Sequence, residues 1–209
     1  MHPLNCKIID YQPAHQPFFE QVYREWFTAH FGVPPEPIDD FVLTQPEKAI
    51  LAKQGAILIA TCDDQPAGFV ALKKTSQSSD ESTKKTGQST YELTKKTSQS
   101  TYELTKMAVH PDFRGKGVGE ALCRAALDRA ATLGAQCLIL YSHSSLQPAL
   151  HLYRKLGFKE TLLEKGHYSD FRCDIKMECR IDAGPPDRSD RATSAEQSLD
   201  PPARTSKSS

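Results

Sequence analysis

The sequence predicts an α/β (α+β) chain, and three observations carry that prediction. Residues 101–133 read as a strand, a glycine-rich turn and an Ala/Leu-rich helix; two strand-like runs, 56–61 and 67–72, flank a turn; and residues 172–180 alternate between apolar and polar side chains. Periods of two and of 3.6 thus follow one another along a chain of 209 residues, enough for one core with or without a tail.

The elements follow in order. Lys7, Ile8, Ile9 and Asp10 suit a first strand, and from Pro17 onward Phe19, Val22, Tyr23 and Trp26 recur at helical spacing on a face read as core. The link from Phe31 through Gly32, Val33, Pro34, Pro35 and Glu36 to Pro37 reads as a loop, because proline lacks a donor and restricts the residue before it. Runs 56–61 and 67–72 form a hairpin across Cys62-Asp63-Asp64-Gln65-Pro66. The helix at 120–133 stops at Gly134, and residues 137–141 have the length and apolarity of a buried strand. A second helix has Pro148 in its first turn and Gly157 at its end. Lys159, Glu160 and Thr161 continue a short strand. In the last strand Phe171, Cys173, Ile175, Met177 and Cys179 share one face, and Arg172, Asp174, Lys176, Glu178 and Arg180 the other, as in a half-exposed antiparallel strand. One domain is expected over residues 1–180. Residues 181–209, rich in Pro, Ser, Asp and Arg, read as a disordered tail whose burial could not offset its ordering entropy.

Residues 73–105 divide into three units of eleven: KKTSQSSDEST, KKTGQSTYELT and KKTSQSTYELT. So polar a repeat is read as a strand-to-strand connection lengthened by duplication, which loop-closure entropy tolerates at about 0.6 kcal/mol per doubling. Duplication leaves Glu92 and Glu103 in identical surroundings, Tyr-Glu-Leu-Thr. Only the second copy runs on into Lys106, Met107, Ala108 and Val109, so connectivity selects Glu103 as the residue of the functional strand. The first two copies are expected to be mobile, with an edge pairing by residues 89–94 as the competing outcome.

The formal net charge is zero, which argues against a nucleic-acid partner or an anionic membrane surface. No apolar run approaches 18 residues and Met1-His2-Pro3-Leu4-Asn5 lacks the form of a signal peptide, so a cytoplasmic protein is expected. The six cysteines show no C-x-x-C and no metal-ligand spacing. They are read as small core hydrophobes rather than disulfides or zinc ligands, and no metal is expected.

Residues 109–119 read V-H-P-D-F-R-G-K-G-V-G. Glycines between a strand and a helix let backbone approach an anion, which the unpaired N–H groups and the dipole of the first helical turn then hold. Lys116 is followed by Gly117 rather than a hydroxyl residue, which excludes a P-loop, and Gly115, Gly117 and Gly119 are too evenly spaced for the dinucleotide fingerprint. The remaining pattern, [QR]-x-x-G-x-[GA], resembles the acetyl-CoA pyrophosphate loop of the GNAT superfamily of N-acetyltransferases. The string ALHLYRKLGF at 149–158 is similar to a later motif of the same superfamily, and the resemblance spans roughly residues 6–180.

That resemblance implies a GNAT fold: a mixed, mostly antiparallel central sheet flanked by helices, with acetyl-CoA in the cleft after the central strand. It implies transfer of an acetyl group from acetyl-CoA to a primary amine of a small molecule or peptide. Met107, Ala108 and Val109 would meet the thioester through backbone, and Arg114, Gly115, Lys116, Gly117, Val118 and Gly119 the pyrophosphate. His143 would meet the pantetheine arm, at a position where relatives often carry asparagine. Less than about one lysine-like amine in a thousand is neutral at pH 7, so a base is required, and Glu103 takes that role by resemblance. Tyr153 matches the tyrosine that returns a proton to the departing thiolate. The loop after the first helix lines the acceptor pocket in the family, which makes Glu36, Asp39 and Asp40 candidates for attracting a cationic amine, against the simpler reading of a solvated acidic loop. A homodimer is open. A non-catalytic acyl-CoA sensor or interaction module of the same fold is the alternative; it would need the glycine loop but not Glu103 or Tyr153.

Overall fold

The computed structural model describes residues 5–75, 100–163 and 172–181. Its strands are β1 (Cys6–Asp10), β2 (Ala56–Cys62), β3 (Gln65–Lys74), β4 (Thr101–Val109), β5 (Cys137–Ser142), β6 (Lys159–Thr161) and β7 (Ile175–Arg180). They form one sheet in the order β1-β2-β3-β4-β5-β7-β6. Every pairing is antiparallel except β4 with β5, which is parallel. The helices are α1 (Gln16–Phe31), α2 (Pro37–Thr44), α3 (Pro46–Ala49), α4 (Val118–Thr132) and α5 (Gln147–Lys155).

Both faces of the sheet are covered, which explains why β2 and β3 read as nearly unbroken apolar runs. Leu58, Ala60, Val70 and Leu72 join a core with Leu122, Cys123 and Ala126 of α4 and with Leu150 and Tyr153 of α5. The alternating residues Ile57, Ile59, Phe69 and Ala71 join a second core with Phe19, Val22, Tyr23 and Phe27 of α1 and Leu43 of α2. Between β2 and β3, Asp63 and Asp64 both take positive φ, 50° and 62°. That is the backbone of a two-residue turn matched to strand twist, and Asp tolerates it better than most residues.

Several expectations are corrected. Cys6 and Cys62 are joined by a disulfide. They stand directly opposite one another in the β1–β2 register, a neighbourhood that spacing in the sequence could not reveal. The core face of α1 is completed by Phe27 rather than Trp26, which is only partly buried. Pro37 does not extend the loop but opens α2, where its missing N–H costs nothing. β7 begins at Ile175, so the alternation continues past the strand on its N-terminal side, and Arg172, read there as an exposed polar position, is buried.

Of the repeat, Lys73 and Lys74 end β3 and residues 101–105 begin β4, in register as Lys73 with Glu103 and Lys74 with Tyr102. The end of the third copy thus opens β4, against the first two residues of the first copy. Residues 76–99, with Glu92 and the pairing weighed for 89–94, lie outside the described residues, as does the tail from 182 onward. Among the described residues no helix is long and apolar enough to cross a membrane.

Candidate active site

β4 and β5 part company halfway along. Their register runs from Thr101–Cys137 to Leu104–Leu140 and stops there, while β4 continues to Val109 and β5 to Ser142. Parallel strands that diverge leave a slot through the sheet. A cleft of about 570 Å³ opens at this point, lined by β4 residues 103–109, the glycine loop, the start of α5 and one side of α1.

β4 also carries a bulge. Ala71 pairs with Thr105 and Phe69 with Ala108, so three steps on β4 face two on β3. Lys106 adopts φ 46°, and the parity of the strand flips around it. Tyr102 and Leu104 belong to the core under α4, and so do Met107 and Val109, which are an odd number of residues further on. The bulge thus re-aims the second half of the strand. The sequence holds this signal in its apolar positions 102, 104, 107 and 109, whose period breaks once.

At the end of β4 the loop is braced by Arg114, whose Nε donates to the Val109 carbonyl at 3.0 Å. Gly115 and Gly117 have φ of 72° and 81°, and a Cβ on either would meet nothing within 4 Å. These are backbone conformations that favour glycine, bordering open space in front of α4. The first N–H groups of α4 have no helical partners, so donors and dipole converge there. Glu120, in the same first turn, would repel a diphosphate, but Lys155 Nζ at 2.7 Å and Arg124 Nη2 at 2.8 Å engage it. Lys155 and then Arg124 hold its carboxyl below the usual range. A diphosphate fits this cradle on backbone, shape and charge.

Glu103 is 3% exposed and lines the cleft on the α1 side of the sheet, opposite in facing to Tyr102 and Leu104. Tyr153 lines it from α5, packed against Phe158 with ring centroids 5.8 Å apart. Burial, and secondarily Cys123, raise the Tyr153 phenol above its ordinary value. Met107, Ala108, Val109, Arg114, Gly115, Gly117, Val118 and Gly119 all line the same cleft. Lys116 and His143 do not. Lys116 lies over the Phe113 ring, 5.6 Å from its centroid. His143 turns to Ser145, with Nδ1 to Oγ at 2.7 Å, and its Nε2 lies 3.9 Å from an oxygen of Asp174. Ser145 itself reaches the lining and also meets His30 of α1 at 2.8 Å.

Glu36 and the two acids in the first turn of α2, Asp39 and Asp40, are each engaged by a cation of the chain, and Asp39 is buried. Asp39 is 2% exposed and binds Lys106 Nζ at 2.6 Å and Arg172 Nη2 at 3.1 Å. Glu36 takes Arg172 Nη1 at 2.6 Å, and Asp40 pairs with Arg24 at 2.8 Å. The cations also rest on aromatic faces, Lys106 over Tyr23 and Arg172 over Phe27. Burial alone would lower the Lys106 ammonium; Tyr23 and Asp39 outweigh it and leave the group raised. Lys106 therefore stays charged and is no candidate base. Cys173, in the same wall, is pushed up to about 11 by burial, so its thiol is no ready nucleophile. Sequence reading missed Lys106 and Arg172 because what marks them is a tertiary pairing between elements 67 and 133 residues apart.

Comparison with known proteins agrees with this geometry. The model of the acetyltransferase (GNAT) family matches residues 18–158. The putative [ribosomal protein bS18]-alanine N-acetyltransferase of Bacillus subtilis is 34% identical over 64 residues, 31% of this chain and 42% of that protein. Streptothricin acetyltransferase of Streptomyces lavendulae is 42% identical over 60 residues, 29% of this chain and 32% of that protein. The chain thus spans less than half the length of these curated relatives. A GNAT-family acetyltransferase of Staphylococcus aureus Mu50 superposes with a TM-score of 0.64 at 14% identity, covering 85% of this chain and 99% of the other. PaiA N-acetyltransferase of Thermoplasma acidophilum, solved in complex with coenzyme A, gives 0.57 at 18% identity, covering 84% and 99%. At such identities the likeness speaks for the fold.

Proposed function

Because the chain belongs to the GNAT family of acetyltransferases, we propose that it transfers an acetyl group from acetyl-CoA to a primary amine of a small molecule or peptide. The observation that supports this best is the slot where β4 leaves β5. It joins the phosphate cradle on the α4 side to Glu103 on the α1 side.

Acetyl-CoA brings a thioester carbonyl and a thiolate leaving group; the chain's residues do the rest. The loop at Arg114, Gly115, Lys116, Gly117, Val118 and Gly119 holds the diphosphate, and the β4 backbone at Met107, Ala108 and Val109 lies along the slot, where N–H groups can meet the carbonyl oxygen. Glu103 takes the proton from the acceptor ammonium, directly or through one water. Tyr153 returns a proton to sulfur. Its raised phenol keeps that proton throughout the working range, and a thiolate beside it in the same dry surroundings is shifted the same way, which narrows the gap between them. His143 stands at the edge of the cofactor site through Ser145 rather than in it. One domain over residues 1–180 carries these groups.

Calorimetric titration with acetyl-CoA, followed by CoA thiol release across a panel of amines, tests the reading. Binding with turnover, lost in Glu103→Gln and Tyr153→Phe while binding persists, is the expected result. Undiminished rates in both variants would sink the assigned roles, and no binding at all would remove the reading.

A further inference from the structure

We infer that Asp39 of α2 is a positioning residue for the donor: through Lys106 it holds the bend in β4 that sets Met107, Ala108 and Val109 along the slot for the thioester. The inference rests on the acetyl-transfer reading above. Lys106 has φ 46°, a conformation that glycine adopts freely and that the Cβ of a lysine disfavours. It stands inside the bulge, between Thr105, which pairs with Ala71, and Ala108, which pairs with Phe69. Glycine is the usual residue where a bulge needs a positive φ. A lysine in that conformation persists only where its surroundings hold it.

The holding contacts are on α1 and α2. Lys106 Nζ lies 2.6 Å from Asp39 Oδ1 and 5.0 Å from the centroid of the Tyr23 ring, and the Lys106 and Asp39 side chains are 8% and 2% exposed. Asp39 is fixed in turn by Arg172 and by its place in the first turn of α2. The restraint therefore reaches β4 at the residue where its parity changes, with Tyr102 and Leu104 before it and Met107 and Val109 after it facing the same core. Without its carboxylate a buried ammonium would be driven toward water. Relaxation of Lys106 to an ordinary strand conformation would then undo the flip and displace the backbone beside the thioester.

Isotope-edited infrared spectroscopy of acetyl-CoA with a ¹³C-labelled acetyl carbonyl reads the hydrogen bonds at the thioester without any turnover. With the full chain and no acceptor, Asp39→Asn and Lys106→Val are each expected to raise the carbonyl frequency above that in the unmodified protein, because neither an unpaired lysine nor a β-branched residue keeps a positive φ. Affinity for CoA, which lacks the acetyl group, should stay unchanged by calorimetry. Lys106→Gly loses the same ion pair as Lys106→Val but takes φ 46° freely, so it should keep the frequency and, added to Asp39→Asn, restore it. In thiol release Asp39→Asn should lower kcat at least about tenfold, since losing a whole carbonyl donor costs about 10²–10³; the double variant should recover. If Asp39→Asn does not fold, Lys106→Val against Lys106→Gly decides. A frequency untouched by either Asp39→Asn or Lys106→Val, or displaced as far by Lys106→Gly as by Lys106→Val, would overturn the inference and leave acetyl transfer standing. No acetyl-CoA binding by the unmodified chain would remove the acetyl-transfer reading, and the inference with it.

Discussion

At the proposed donor end the cleft is made largely of backbone: the glycine turn, the first N–H groups of α4 and the bulged edge of β4, all within residues 103–120. At the proposed acceptor end it is made of side chains from α1, β4 and the segment before β7, backed by a cluster of Glu36, Asp39, Lys106 and Arg172. A ligand with a fixed diphosphate can be met by a local loop. An acceptor that varies from one enzyme to another calls for walls that can change without disturbing the sheet, and those walls come from distant parts of the chain.

The comparison can be tested where its two halves meet, at Glu103. Glu103→Gln keeps shape but removes the proposed base, so kcat should fall by between about 10² and 10⁴ with acetyl-CoA affinity unchanged. A matching loss of acetyl-CoA affinity would mean that the halves are not separable. On the proposed acceptor side, Asp39→Ala takes the paired carboxylate from the buried Lys106 and leaves Arg172 with Glu36. Breaking such a pair costs about 3–5 kcal/mol, a fall in melting temperature on the order of 10 °C for a chain of this size. A melting temperature within a degree or two of the unmodified protein would show the cluster to be dispensable. On the donor side, Gly117→Ala places a methyl group in open space at φ 81°. The strain is about 1–2 kcal/mol, and acetyl-CoA should bind up to about tenfold more weakly by calorimetry. Gly119→Ala meets only ordinary contacts, at 3.7 and 3.8 Å, and unfolding in urea should detect little change. A larger loss of stability there than at Gly117 would contradict the assignment of backbone roles.

The smallest effect belongs to the core beneath α4. Burial raises the Cys123 thiol from 9.0 to about 12. Its contribution to stability is full below pH 9.0, and it declines as the pH rises from there toward about 12. Urea unfolding at pH 8 and 10.5 should show the decline, and it should be smaller in Cys123→Ala.

Much of the donor end was legible in the sequence because its determinants are local. Gly115, Gly117 and Val118 lie within four residues and take their meaning from that spacing; so do Tyr153 and the stop at Gly157. The choice of Glu103 over Glu92 needed only connectivity. The acceptor end was not legible. Arg172 reads as a strand's outward residue because a period of two takes no account of where a strand starts. Trp26 reads as core because the helical period marks a face without saying that part of the face lines a cleft. Asp39 reads as a solvated loop acid because its partners lie far along the chain.

By itself the sequence determined the alternation of strands and helices, the glycine loop before α4 and the family, all of which rest on spacings of a few residues. Only the tertiary structure decided the Cys6–Cys62 bridge and the pairing of Glu36 and Asp39 with Lys106 and Arg172. Each depends on register or on contact between distant segments, and the long-range packing that brings such segments together leaves no mark in local periodicity.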